Sequence, residues 1–528
     1  MTLRAWQLDP LLPLWFPLAL LAVGLVGLFG LAASGSVGLE RLAANQARRI
    51  LANSATPLVA QLLNRAVDLV FAAIALRILG VEGNGEYAIA SVTWLYLKTI
   101  TDFGLSILVA REVARTPQRA GRLVGTTTLF RWAVLLCLLP LVGALVTTGR
   151  DWLGLSPASL TAIVILVISI VPASYSEAIN SVFTGYERMH LPAILTIFTN
   201  LIRFASGLLA LGYGLGVPGI AAAAVIAATC NATAFHLAIN RQAMRIEWVC
   251  SLDEWRSLAK SAWPLLLNGL LITVFFRIDT FVIQAFDGTY SLGIYDAAYK
   301  LPNLVPLIPS YFVLAVFPLL SRQSGDDRRR SFELGAKFLV LTGWLIVLVT
   351  LIGAPLFIRI LGGQAFLPEA AETLRILIWF TPLHFLNGIA QYAVIAADRQ
   401  RAIAPAYIAA TIFNLLGNLT GVPLFGYRAA AVVTVLTEIV LLLALRRALE
   451  ESLGPIAWKV LLWRPIPAVL SASAIVWLAL EYLPLAMVLA LPSYFALLWL
   501  TGTVTSRDVA LLQPLLPHRL VERFRGYR

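Results

Sequence analysis

The chain has 528 residues, 59% hydrophobic and 13% charged, and its mean hydropathy of +0.83 excludes a soluble globular protein. The formal net charge of +12 would suggest a nucleic-acid partner in a soluble chain. Here the basic residues gather in short breaks between apolar runs, where they encode membrane orientation, and no nucleic-acid partner is expected.

The first apolar run, residues 11–34, precedes the basic stretch ERLAANQARR and sits awkwardly in the charge pattern. It reads either as an additional helix with Met1 outside or as an extension upstream of the true start codon. After it, runs of membrane-spanning length follow at 55–76, 87–109, 124–146, 158–182, 191–212, 217–239, 261–285, 293–320, 334–358, 372–396, 402–422, 427–445, 460–480 and 484–504. These predict about 14 transmembrane helices. Alternate breaks are rich in Lys and Arg, from Arg48, Arg49 and the group Arg111 to Arg122, through Arg241 to Lys260 and Arg322 to Arg330, to the basic tail. The other breaks hold little beyond Arg77, Arg150, Arg359 and Arg428. By the positive-inside rule both ends of this core are cytoplasmic. Cys137, Cys230 and Cys250 have no metal-ligand spacing, so neither a disulfide framework nor a metal site is expected.

The motif G-x-Y-x-x-A occurs at Gly85, Tyr87 and Ala90 and again, 208 residues on, at Gly293, Tyr295 and Ala298. Each copy opens the second helix of a group of six. That arrangement predicts two lobes of like orientation around a pseudo-two-fold axis along the membrane normal.

Residues 76–115, LRILGVEGNGEYAIASVTWLYLKTITDFGLSILVAREVAR, together with 277–322 and 374–444, resemble the polysaccharide transporter family. These are the Wzx-type oligosaccharide flippases of the multidrug/oligosaccharidyl-lipid/polysaccharide exporter superfamily. The likeness covers residues 45–450; residues 1–40 have no counterpart in the family pattern, and the last two helices occur in some members. The resemblance implies an all-α polytopic membrane protein with two six-helix lobes, plus two C-terminal helices. It divides the chain into an extension (1–45), an N-lobe (46–240), a cytoplasmic loop (241–260), a C-lobe (261–447) and a C-terminal part (448–528). It also implies a flippase of the cytoplasmic membrane, carrying a polyprenyl-diphosphate-linked oligosaccharide between leaflets by alternating access. Membrane lipid and polysaccharide assembly proteins are its further partners.

A charge at the centre of a membrane helix costs about 2.5–3.5 kcal/mol and persists where it meets a partner or water. In the first core helix Gln61, Asn64, Arg65 and Asp68 share a face, so Arg65 and Asp68 either neutralise each other or line a cavity. Lys98 and Asp102 stand four apart in the second. In FFRIDTFVIQAF (275–286), Arg277 and Asp279 lie about 160° apart around the helix axis and cannot pair within it; Asp279 is left to seek Lys300 or Arg65. Asp296 and Lys300 are again four apart, beside Tyr295 and Tyr299. Glu177 marks the fourth helix and Arg203 the fifth. His384 reads as a structural histidine, and Glu438 as a structural residue near a helix end.

A diphosphate needs several cations, and arginine's planar fork suits phosphate oxygens. Arg65, Arg277, Lys300, Arg203 and Lys98, with Asn64 and Tyr299, are therefore the candidate cargo contacts. Asp68, Asp102, Glu177 and Asp279 are candidate charge partners or sites for a coupling proton or sodium ion; no other cofactor is expected. An enzyme of lipid-linked sugars would need a loop or domain outside the lipid, but the outer breaks are short and no HExxH, G-x-S-x-G or P-loop occurs. A lipid II flippase or a cation-coupled drug antiporter shares the architecture, and the excess of in-span cations favours an anionic cargo. A scaffold for an assembly complex would not need the polar stripes.

Overall fold

A computed structural model describes residues 43–242, 244–478 and 483–503. The apolar segment 11–34 and the basic tail beyond 503 lie outside the described residues. Among those described there are helices and turns but no strand, and eight helices are long and apolar enough to cross a membrane, with further helices between them. Each of the fourteen expected apolar runs falls on helix.

Chain order is α1 (Ala43–Asp102), α2 (Leu105–Arg115), α3 (Ala120–Thr147), the short α4 (Gly149–Leu153), α5 (Pro157–Gly185), α6 (His190–Gly212), α7 (Gly216–Asn240) and α8 (Leu252–Phe286). There follow α9 (Gly288–Tyr299), α10 (Leu307–Arg322), α11 (Gly325–Gly362), α12 (Glu369–Leu377), α13 (Thr381–Ala396), α14 (Ile403–Phe425), α15 (Tyr427–Leu453), α16 (Ile466–Leu478) and α17 (Leu483–Leu500). α1 is two expected spans in one element, joined at Gly80 (φ 68°, ψ −169°). A side chain at that φ would be strained, so glycine allows the two helices to meet at a kink without a loop.

Prolines break the helix in one place and not in another. Pro302 starts a 3₁₀ turn and Pro306 caps α10, so the run 293–320 is broken into α9 and α10, because neither ring nitrogen can donate to the preceding turn. α8, by contrast, runs continuously through Pro264.

The chain forms two compact units. Of the described residues, unit 1 holds those up to Lys300 with Arg359–Leu367 and Val422–Tyr427; unit 2 holds Leu301–Ile358, Pro368–Gly421 and those from Arg428 on. In unit 1, Val109 and Val113 of α2 pack with Val124 of α3, Ile179, Val182 and Phe183 of α5, and Phe235 and Ile239 of α7. In unit 2, Phe332, Leu339 and Val347 of α11 pack with Phe385, Leu386 and Ile389 of α13 and Leu442 and Leu449 of α15. The C-terminal helices cover another face of α11, with Val469, Ala472, Tyr494 and Leu498 against Leu348 and Ile352.

Contacts in unit 1 join breaks of like parity. Arg77 donates to the carbonyls of Ile360 (2.8 Å) and Arg359 (3.2 Å), and the Tyr427 amide donates to Asp287 (2.7 Å). Among the basic breaks, Arg122 pairs with Glu254 at 2.7 Å.

The two copies of the G-x-Y-x-x-A motif meet each other. A Cβ on Gly85 would lie 2.0 Å from the Thr289 carbonyl oxygen, and one on Gly293 would lie 2.0 Å from that of Val81. The buried Asn84 amide donates to the Gly293 carbonyl at 2.8 Å. Small residues let membrane helices approach to backbone distance, and here the repeat supplies one glycine from each side. Gly85→Ala and Gly293→Ala are each expected to destabilise by about 1–3 kcal/mol or more, read as a lower melting temperature in detergent. Gly143→Ala, where a Cβ meets nothing within 4 Å, should leave it unchanged or slightly raised.

Candidate functional site

The polar residues of unit 1 fall into three linked groups on the two arms of α1 and the helices around them. On the first arm Asn64 and Asp68, one turn apart, face α6. Asn200 donates to the Asn64 side-chain oxygen (3.1 Å) and to Asp68 (3.3 Å), and Arg203 forms an ion pair with Asp68. The group continues from Thr199 to Asn231 of α7 (3.3 Å) and from Asn231 to Ser176 of α5 (3.3 Å). Arg203 and Asp68 are each 39% exposed, so the pair is not enclosed by the helices around it.

Arg65 does not neutralise Asp68. It is exposed, and among the described residues it makes no ion pair or side-chain hydrogen bond. Its neighbour's charge is already taken by Arg203, which lies on the face where Asn64 and Asp68 converge.

On the second arm the i, i+4 pair expected from sequence does not form either. Lys98 reaches Glu177 of α5 (3.2 Å) and lies over the Trp94 ring at 5.5 Å, whose indole donates to Ser169 (3.0 Å). Asp102 turns instead to Arg131 of α3 at 2.8 Å, and Ser106 donates to the same carboxylate at 2.6 Å. Arg131 was not singled out in the sequence, although an arginine inside the run 124–146 is the same signal that marks Arg277. It is 1% exposed, and its Nη1 has no partner among the described residues.

The third group is formed by α8 and α9. Asp279 is buried (5%) and binds neither Lys300 nor Arg65: the Tyr295 hydroxyl donates to it at 2.5 Å and the Thr280 amide at 2.8 Å. Lys300 pairs with Asp296 one turn back, 2.7 Å away, as an ion contact and not an aligned hydrogen bond. Arg277 lies over the Tyr299 ring at 5.3 Å, and Tyr299 packs at a tilt on Tyr295 at 5.6 Å. The helix wheel correctly separates Arg277 from Asp279. What the wheel lacks is the tyrosine ladder that takes up one charge on each side. α8 is tied to the second arm of α1 by the Tyr96 hydroxyl on the Thr273 carbonyl (3.4 Å) and by Tyr96 against Phe281 at 5.3 Å.

Six cations of these spans (Arg65, Lys98, Arg131, Arg203, Arg277, Lys300) stand against five acids (Asp68, Asp102, Glu177, Asp279, Asp296). Four of the acids are consumed by ion pairs and the fifth by a phenol, so the residual charge of the site is positive. Among the described residues no cluster of His, Cys, Asp and Glu could hold a metal ion.

The family model "Polysaccharide biosynthesis protein" matches residues 50–324, more than half of the chain, and the MatE model matches residues 264–420. A curated relative from Escherichia coli (strain K12), "Putative O-antigen transporter", is 22% identical over 375 residues, covering 69% of this chain and 87% of its own length. Among solved structures, "Lipid II flippase MurJ, inward closed conformation" aligns with a TM-score of 0.67 at 14% identity, over 87% of this chain and all of that one. An inward-facing multidrug resistance MATE family transporter aligns with a TM-score of 0.58 at 12% identity, over 72% and 93%. At these identities the two structures share the fold.

Asp102→Asn is expected to destabilise by about 3–5 kcal/mol, since it strands the buried Arg131 charge. The double variant Asp102→Asn with Arg131→Met should recover part of that loss. Melting temperatures of the purified chain in detergent check both, and equal stability of the single variant and the parent would contradict the pairing.

Proposed function

This chain belongs to the polysaccharide biosynthesis protein family, and from that premise we propose that it is a flippase for a polyprenyl-diphosphate-linked oligosaccharide. The observation that carries the anionic cargo is Arg65: an exposed arginine within an apolar helix, with its neighbouring acid already bound by Arg203. A cation that has no partner among the described residues is costly in such a place unless it meets water or an anion. The guanidinium fork donates to two phosphate oxygens and stays charged at any cellular pH.

In this reading the diphosphate meets Arg65, with Arg203, Lys98, Arg277 and Lys300 as further positive groups, and Asn64 and Tyr299 meet hydroxyls. Asp68, Glu177 and Asp296 hold Arg203, Lys98 and Lys300 in place, while Asp102 is taken by Arg131 and Asp279 by Tyr295. The polyprenyl tail stays in lipid. A cationic drug would want uncompensated carboxylates, and the in-span acids of unit 1 are all engaged, which weighs against drug antiport. The relatives are named as transporters, so an enzyme of lipid-linked sugars finds no support in them.

The membrane is the cytoplasmic one and the Lys- and Arg-rich breaks face the cytoplasm. The repeated motif supports two lobes that present the cargo alternately to each side, with boundaries near residues 240 and 261. The proline break between α9 and α10 is a natural place for such a movement to bend the chain.

A hydrogen bond to a charged group contributes about 1.5–3 kcal/mol, so Arg65→Ala should lower outer-leaflet delivery of lipid-linked oligosaccharide roughly 10- to 100-fold. Arg277→Ala should do the same, and Arg65→Lys should lose less than Arg65→Ala. Delivery can be followed as surface polysaccharide in cells depending on this chain. Full delivery by both alanine variants, at parental protein levels, would remove the anion-binding reading.

A further inference from the structure

We propose that the segment joining α7 to α8 builds, with α3 and α5, a binding site for a phospholipid whose head group carries a phosphate and a primary ammonium. Residues 244–250 are not helical, yet they are not a loose connection. A Cβ on Gly121 would lie 2.1 Å from the Arg245 carbonyl oxygen, and one on Gly125 would lie 2.0 Å from that of Glu247. The Glu247 amide donates to the Gly121 carbonyl at 3.2 Å. Two glycines four residues apart give α3 a groove of backbone depth, and here the connecting segment fills it. Its side chains alternate as in a strand: Met244 and Ile246 pack on the core of Val109, Val124 and Phe235, while Arg245 and Glu247 are exposed.

This seating brings Trp248 between two other rings. It stacks on Trp132 of α3 at 5.9 Å and on Tyr175 of α5 at 6.0 Å, at 20° to each. The Trp132 indole donates to the Val171 carbonyl at 3.1 Å. The Tyr175 hydroxyl lies 2.5 Å from His236 Nδ1, and Asn240 lies 2.9 Å from Nε2 of the same ring. The stack is therefore held at both ends, although Trp248 remains 50% exposed. Tyr175 stands two residues before Glu177, about 200° around the helix from it, so the stack lies on the opposite side of α5 from the Lys98–Glu177 pair.

The helices continue the surface beyond the rings. Leu136 and Leu139 follow Trp132 on one face of α3, and Val171 and Ile168 precede Tyr175 on one face of α5; all four are exposed. Two apolar stripes thus run from the stack into the bundle's lipid-facing surface and suit acyl chains. Tryptophan and tyrosine, apolar in body and polar at one edge, are the side chains that settle at the level of lipid head groups.

Charge selects the head group. Arg241 and Arg245 are exposed and form no ion pair among the described residues, unlike Arg122 nearby, which is taken by Glu254. Arg245 and Glu247 are both turned outward, two residues apart, and do not pair with each other. A purely anionic head group would be drawn by the two arginines and repelled by Glu247. A head group with both charges satisfies all three, its phosphate accepting from the guanidinium groups and its ammonium donating to the Glu247 carboxylate.

The test is native mass spectrometry of the full chain in detergent, incubated separately with phosphatidylethanolamine, phosphatidylglycerol and phosphatidylcholine at equal molar ratio. The parent should retain phosphatidylethanolamine most strongly. Arg245→Gln and Glu247→Gln, both outside the core, should each lower that retention about 2- to 5-fold, the scale of an exposed ion pair. Glu247→Gln should also narrow the gap between phosphatidylethanolamine and phosphatidylglycerol. Arg401→Gln, an exposed arginine of unit 2, should leave retention unchanged. Equal retention by the parent and both variants, a matching loss in Arg401→Gln, or stronger retention of phosphatidylglycerol by the parent each overturns the proposal.

Discussion

A charge placed in an apolar helix must be given a partner or water, and most of what is specific in unit 1 follows from that constraint. It explains why α1 touches α3, α5 and α6 at defined heights. Asp102 needs Arg131, Lys98 needs Glu177, and Asp68 needs Arg203. Each pair ties a different helix to the same long element, so the pairs set the register of the bundle as well as its charge. Hydrophobic contacts such as those of Val109, Val182 and Phe235 fill the space between, but they would tolerate sliding that the ion pairs do not.

Close approach is the second constraint, and it comes from what is missing. At Gly85 and Gly293 the backbones of α1 and α9 come so near that no Cβ fits on either side. This seats Tyr295, two residues after Gly293, where its hydroxyl reaches Asp279. The tyrosine position of the repeated motif is thus linked by geometry to its glycine position. A motif that reads as a marker of internal duplication is, in the folded chain, the place where the two copies lock together.

The extent of the helices was legible in the sequence because apolar length and charged breaks are properties of the chain alone. So was the separation of Arg277 from Asp279, which needs only the helix period. The identity of partners was not. Spacing says which residues share a face but not which helix arrives opposite, and so Arg65 with Asp68 and Lys98 with Asp102 both looked self-sufficient while each found, or left, its charge elsewhere. Arg131 carried a signal equal to that of Arg277 and passed unremarked, because its acid lies 29 residues away in another element. Glu438 looked like a terminal residue because the apolar run stops near it; α15 continues in polar sequence to Leu453, which places the carboxylate deep in the helix.

These pairings differ in kind, not only in place. A carboxylate facing arginine or lysine has a fixed counter-charge, and such a pair suits the task of holding a cation steady for an anionic ligand. Within the spans, pairs of that kind are found in unit 1; in unit 2 they fall on more exposed residues, as Arg428 with Glu372 and Arg399 with Glu451. Glu438 of unit 2 is held differently, by the His384 ring and the Asn387 amide. The pairs of unit 1 fix the height at which each helix meets α1, whereas the Glu438 contacts join α13 to α15.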